Sequence, residues 1–222
     1  MSILSKGECE AVLDVLAQLY PGAVCALEHG SAFQLLVAVA LSAQTTDKSV
    51  NKATPELFRR FPDAAAMAQA DMEELQGLLK TLGMYRTKAA NIKKMSEKLV
   101  SGYGGEIPGD FDGLVALPGV GRKTANVVLA VWFGEQRIPV DTHVFRVANR
   151  IGLCREKNVL DTEKALMARL PEGRWTEAHH SIIFHGRNCC RARAPECASC
   201  ALGGMGLCRA AGAGGDTQPP GV

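Results

Sequence analysis

The 222-residue chain is long enough to bury a sizeable core in one large or two small domains, and a 47% hydrophobic, 22% charged composition excludes a disordered chain. No apolar run approaches the roughly 20 residues that span a bilayer. The start, Met1 to Glu8, lacks signal-peptide organisation, so a cytoplasmic protein with no membrane partner is expected. The net charge of +2 conceals an asymmetry, −3 over residues 1–120 against +6 over 121–210. The acidic half also contains a basic stretch, with Lys80, Arg86, Lys88, Lys93, Lys94 and Lys98 against Glu97 alone. Charge alone is compatible with solvated helix faces. Two basic patches on a near-neutral chain also fit a polyanionic partner.

Helical periodicity runs through nearly the whole chain. Val12, Val15, Leu16 and Leu19 repeat at three and four residues, and Tyr20-Pro21-Gly22 stops that helix. Ser31 predicts the cap of an apolar helix over Phe33–Leu41, and Asp71 that of a helix over Met72–Leu82 with Gly83 as its stop. Further helices are predicted over Lys88–Val100, Phe111–Ala116, Lys123–Phe133, Thr142–Ile151, Glu163–Leu170 and Thr176–Phe184. Only Arg137-Ile138-Pro139-Val140 reads as a short strand. The expectation is an all-α protein of roughly ten helices, followed by a Gly/Pro-rich disordered tail over 210–222.

The most informative segment is Leu117-Pro118-Gly119-Val120-Gly121-Arg122-Lys123-Thr124-Ala125. Asp110 or Asp112 caps the short helix before it. Two glycines then permit a tight reversal, and a new helix starts at Gly121 or Arg122. The first N–H groups of that helix have no intrahelical partner and carry the positive end of its dipole. Such a helix–hairpin–helix grips a nucleic-acid backbone without reading sequence, through Gly119, Val120, Gly121, Arg122 and Thr124. Lys123, in the first helical turn, reads either as a phosphate contact or as an amine nucleophile that forms a Schiff base with a sugar. The second role needs a carboxylate near the developing positive charge. Asp141, in Val140-Asp141-Thr142-His143, could supply it, but could equally be an N-cap.

Eight cysteines on a long chain without an export signal point to a metal or cluster site rather than a disulfide framework. Cys9, Cys25 and Cys154 are isolated. Cys190, Cys197, Cys200 and Cys208 are separated by six, two and seven residues and could close around one metal centre, with Cys189 a competitor for the first position. Zinc and a 4Fe–4S cluster both accept four thiolates, and spacing does not decide between them. Arg187, Arg191, Arg193 and Arg209 flank these thiols and would face phosphate. No histidine is expected to be a ligand.

The hairpin, Val140–Arg146, Leu41-Ser42-Ala43-Gln44-Thr45-Thr46-Asp47, and His185-Gly186-Arg187 with its cysteines together resemble the endonuclease III family of DNA glycosylase/AP lyases, from about residue 5 to 209. The resemblance implies a helix-hairpin-helix glycosylase fold, with a DNA groove between a six-helix barrel (25–135) and an iron–sulfur cluster domain (1–24 and 136–209). It implies Lys123 and Asp141 as the catalytic pair, and a lysine at 123 favours the bifunctional branch. It implies that Gln44 fills the hole left by a flipped base and that Met84 wedges between bases, with Arg86 and Lys88 reaching phosphates. It also turns the metal assignment from zinc to a 4Fe–4S cluster. The family spacing is six, two and five, so the longer last interval makes Cys208 the least secure ligand. The implied partner is double-stranded DNA carrying a damaged pyrimidine or an abasic site, bound by a monomer. A non-catalytic hairpin module with a structural metal, and an electron-transfer protein, are the competing readings.

Overall fold

The computed structural model describes residues 2–211. Its helices, in chain order, are α1 (Lys6–Leu19), α2 (Ala32–Leu41), α3 (Asp47–Arg60), α4 (Ala64–Ala68), α5 (Met72–Leu79), α6 (Tyr85–Tyr103), α7 (Phe111–Val115), α8 (Arg122–Val131), α9 (Thr142–Ile151), α10 (Val159–Arg169), α11 (Trp175–Asn188) and α12 (Ala201–Gly204). No strand forms among the described residues, and residues 137–140 are irregular rather than the short strand expected. None of the helices is long and apolar enough to cross a membrane. The chain divides into two compact units, Ala26–Glu135 and the two flanking segments taken together.

In the Ala26–Glu135 unit, α2 is apolar nearly all round. Phe33, Leu35, Leu36, Val37, Ala38, Val39 and Leu41 are all buried, as a helix surrounded by others requires. It packs against α3, α6 and α8, while α4 and α5 lie on α6. Ser31 caps α2 as expected, accepting the Gln34 N–H at 3.2 Å. Helix α3 is not among the predicted elements: its surface is strongly polar and its interior holds Pro55. Thr46 caps it by accepting the Ser49 N–H, and the side chain of Asn51 fastens it to the preceding loop through Glu28 N–H and Ala26 C=O. Helix α5 ends at Leu79, short of the expected Leu82. The left-handed turn that follows is made by Met84 (φ 58°), not by Gly83.

In the second unit, α1 and α9 pack on α11, around a core that includes Leu13, Leu16, Val144, Ala148, Ile151 and Ile182. A capping box starts α1, with Ser5 and Glu8 each satisfying the other's backbone N–H. Cys9 and Cys154 are buried in this core, and burial pushes both thiols up, Cys154 to about 12. They are packing residues. The first two residues of the expected tail are held in place. Ala210 donates its N–H to Arg150 C=O and Ala211 to Cys208 C=O, and the rest of the expected tail, from 212 onward, lies outside the described residues.

Candidate nucleic-acid interface and metal centre

Asp110 caps α7 by accepting the Gly113 N–H at 2.8 Å, and the turn closes when Val120 N–H reaches Leu117 C=O. Only one of the two glycines needs its freedom. Gly119 has φ 78°, whereas Gly121 is extended at φ −96° and serves as the N-cap of α8 without any side-chain cap. The leading N–H groups of α8 therefore receive no side-chain oxygen from the cap, and no atom crowds the space where a Cβ of residue 121 would sit. An uncapped, uncrowded helix N-terminus of this kind can accept an anion. A Cβ at residue 119 would meet Asn91 Cβ at 3.1 Å. Gly119→Ala thus combines a positive φ with a crowded neighbour. It should cost about 1–3 kcal/mol in thermal unfolding and weaken DNA binding regardless of sequence. An unchanged melting temperature would contradict it.

Around this turn the side chains separate into two kinds. Leu117 and Val120 are buried, so only the Val120 backbone is left at the surface of the turn. Arg122 is exposed, with its guanidinium 5.1 Å over the Phe111 ring, which joins the two arms of the hairpin. Thr124 is half-buried. Lys123 is exposed and makes no hydrogen bond or ion pair among the described residues.

Asp141, in the second unit, is the N-cap of α9. Its Oδ1 accepts the His143 and Val144 N–H groups, both at 2.8 Å, and Oδ2 lies 3.6 Å from His143 Nδ1. The two readings of Asp141 are compatible, because capping occupies one oxygen and orients the other.

Gln44 and Met84 share an unusual backbone. They are two of the three non-glycine residues with positive φ among the described residues (54° and 58°), and both side chains are exposed. The left-handed conformation costs a non-glycine residue about 1–2 kcal/mol, and such strain concentrates at functional positions. Arg86 is exposed and stacked on Tyr85. Lys88 departs from expectation. It is buried, its ammonium donates to Thr45 Oγ1, and burial lowers its pKa. Lys93 likewise turns inward to Ala70 C=O, at 2.7 Å. The basic stretch around α6 is therefore not a uniform solvent face.

The cysteines close on one place. Cys189, Cys190, Cys197, Cys200 and Cys208 line one small pocket, together with His185, Ile151 and Pro195. Within it, the ligand atoms of His185, Cys189 and Cys200 all lie within 4.8 Å of one another, so a histidine and the competing cysteine come closer than the spacing indicated. Burial pushes the Cys190 and Cys208 thiols up. Cys189 is pushed to about 12 by burial and by neighbouring Cys200. A bound cation would remove that penalty by stabilising thiolates. The donor set fits a thiolate-bound metal.

Two arginines with no role predicted from the sequence hold this loop. From α9, Arg146 donates to Gly186 C=O at 2.9 Å and to Cys190 C=O at 3.2 Å. One turn on, Arg150 donates to Arg191 C=O at 2.7 Å, to Ala192 C=O at 3.1 Å, and lies 3.8 Å from Cys190 Sγ. Their spacing on one face of a helix was the available signal. Of the loop arginines expected at phosphate, Arg191 pairs with Glu196 at 2.7 Å, and Arg187 and Arg193 are exposed. The glycine-rich insertion before Cys208 is absorbed by the short α12 and a turn at Gly206 (φ 70°). Arg209 N–H on Ile151 C=O and an Arg209–Glu8 ion pair at 2.6 Å then fix the chain just past Cys208.

An open hairpin cradle beside an exposed lysine, with a cysteine-lined cavity elsewhere in an all-helical chain, defines a class. Residues 37–172 match the model of the HhH-GPD superfamily of base excision DNA repair proteins. Endonuclease III of Bacillus subtilis (strain 168) is 49% identical over 208 residues, covering 93% of this chain and 94% of that one. Endonuclease III of Escherichia coli (strain K12) is 44% identical over 199 residues, covering 90% and 94%. Among solved structures, a trapped endonuclease III–DNA covalent intermediate superposes with a TM-score of 0.90 at 46% identity, covering 95% of this chain and 99% of that one. A thermostable thymine-DNA glycosylase at 19% identity and a TM-score of 0.82 shares the fold. The chain belongs to the endonuclease III family of base-excision DNA glycosylase/AP lyases.

Proposed function

We propose that the chain binds duplex DNA as a monomer, removes oxidised pyrimidines, and nicks the strand 3′ to the resulting abasic site. The observation that carries this reading is Lys123, exposed and unpartnered in the first turn of a helix whose N-terminus is open to a phosphate. The hairpin N–H groups hold the backbone, and the damaged nucleotide leaves the stack so that its sugar becomes reachable. The neutral Lys123 amine attacks C1′, the bond to the base breaks, and the base departs with a proton. The sugar ring then opens: the C1′–O4′ bond breaks, O4′ takes a proton to become a hydroxyl, and the iminium so formed at C1′ acidifies the C2′ hydrogen. Loss of that proton expels the 3′ phosphate oxygen, which is the β-elimination. Asp141 stabilises the positive charge that develops on the sugar and assists proton transfer. Gln44 and Met84 occupy the space vacated in the duplex, and the Ala26–Glu135 unit serves as the barrel domain.

In the other unit, Cys190, Cys197, Cys200 and Cys208 would hold a 4Fe–4S cluster. A cluster there supplies a fold-forming cross-link for the loop and no reacting atom. Arg187 and Arg193 are then presented to phosphate.

The test is borohydride trapping on duplexes containing thymine glycol, dihydrouracil or an abasic site. A covalent protein–DNA adduct is expected on each. Binding without an adduct would favour the non-catalytic hairpin module. Asp141→Asn separates the two roles of that residue. Asparagine caps as well as aspartate, so the melting temperature should hold, while loss of the charge should slow single-turnover cleavage by about 10²–10³-fold. Wild-type cleavage would restrict Asp141 to capping.

A further inference from the structure

The two exposed left-handed residues are joined by one side chain. Gln44 lies in the loop between Ser42, the C-cap of α2, and Thr46, the N-cap of α3. Met84 is the N-cap of α6, one turn before Lys88, whose N–H donates to Met84 C=O at 3.0 Å. The Lys88 side chain crosses from there to Thr45, the residue after Gln44, and Thr45 passes the bond on by donating its hydroxyl to Ala43 C=O at 3.4 Å. The chain from ammonium to hydroxyl to carbonyl thus brackets Gln44 on both sides and anchors it to the turn that carries Met84.

This linkage is not what stability would choose. Lys88 is buried, Thr45 is its one hydrogen-bond partner among the described residues, and no carboxylate neutralises it there. A buried cation without a counter-charge weakens a fold, and an apolar side chain of the same length would pack as well. We infer that Lys88 is a positioning residue: through Thr45 it locks the Gln44 and Met84 turns into one unit, so that both side chains enter the duplex together when a nucleotide is flipped out. The inference rests on the proposed insertion of Gln44 and Met84. Lys88 then acts through its geometry and not as the phosphate contact expected from the sequence.

The experiment uses the full-length metal-loaded protein and a duplex with a non-cleavable tetrahydrofuran abasic analogue beside 2-aminopurine, whose fluorescence rises when its stacking is disturbed. The variants are Lys88→Met, Thr45→Val and Thr45→Ser. Wild type should brighten the probe. Lys88→Met and Thr45→Val should lose most of that rise and bind the abasic duplex about tenfold more weakly, the scale of one lost charge-assisted hydrogen bond. Thr45→Ser keeps the hydroxyl and should behave as wild type. Lys88→Met should melt at or above the wild-type temperature, which a merely structural role would not produce. Its salt dependence of binding should keep the wild-type slope. A slope reduced by about one charge with the fluorescence rise intact would make Lys88 a phosphate contact and overturn the inference. A full rise in Lys88→Met at unchanged slope overturns it as well. No rise with wild type would remove the insertion of Gln44 and Met84 on which it rests, while borohydride trapping separately tests Lys123.

Discussion

Lys123→Gln should form no borohydride-trapped adduct, and its single-turnover strand cleavage should fall by at least about 10⁴-fold, the scale seen when an enzyme loses its nucleophile. The same variant should bind an abasic-analogue duplex within about threefold of wild type. Lys123 supplies one charge among several groups that meet the backbone, so its removal lowers the salt slope by about one and little else. The fold should be untouched. The side chain is exposed, holds no partner among the described residues, and glutamine matches lysine in helix propensity. Lys123→Arg makes the test sharper. Arginine keeps the charge and the phosphate contact, but its guanidinium stays protonated and cannot attack C1′. If Lys123 only grips phosphate, Lys123→Arg should cleave at nearly the wild-type rate. If it is the nucleophile, both variants should be inert. Cleavage by Lys123→Arg within tenfold of wild type would sink the proposed chemistry.

The start of α8 at Gly121–Arg122 and the capping by Asp141 were readable from the chain because both are local events. A cap or a glycine turn is decided by residues within four positions of itself, and so by the sequence directly. The features that escaped are decided across the fold. Lys88 lies in a run of lysines that looks like a solvent face, and only the packing of α6 beside the Gln44 loop turns it inward. Met84 takes the left-handed turn although glycine precedes it, because the path from α5 into α6 places the bend one residue later. Helix α3 hid behind Pro55 and a polar surface. Arg146 and Arg150 read as two more surface cations, yet each spends its donors on loop carbonyls some forty residues away. Local chemistry is written in the sequence; long-range pairing of that kind is not.

The same pairing decides what the cysteines should do. Purified in its native state, the chain should be brown and carry about four iron atoms with no stoichiometric zinc. Cys190→Ser and Cys200→Ser should lose the iron, and with it several kcal/mol of stability, because a site that exists only in the folded chain adds its binding energy to folding. Cys189→Ser should retain iron. Cys189 and Cys190 both line the cavity, and Cys189 lies nearer to Cys200 and His185, so proximity alone would favour the wrong one. What separates them is support. The Cys190 carbonyl takes two hydrogen bonds from Arg146, and Arg150 aims a guanidinium N–H at its sulfur. No arginine donates to Cys189 Sγ among the described residues; it lies 3.8 Å from the carbonyl of Glu196. A ligand sulfur must be the thiolate. The outcome that would reverse this assignment is an iron-free Cys189→Ser beside an iron-loaded Cys190→Ser, measured by metal analysis and visible absorption. Cys208→Ser tests the longer last interval. If the Arg209–Glu8 pair and the Arg209 N–H bond to Ile151 hold the loop end as a ligand requires, that variant should also lose its iron.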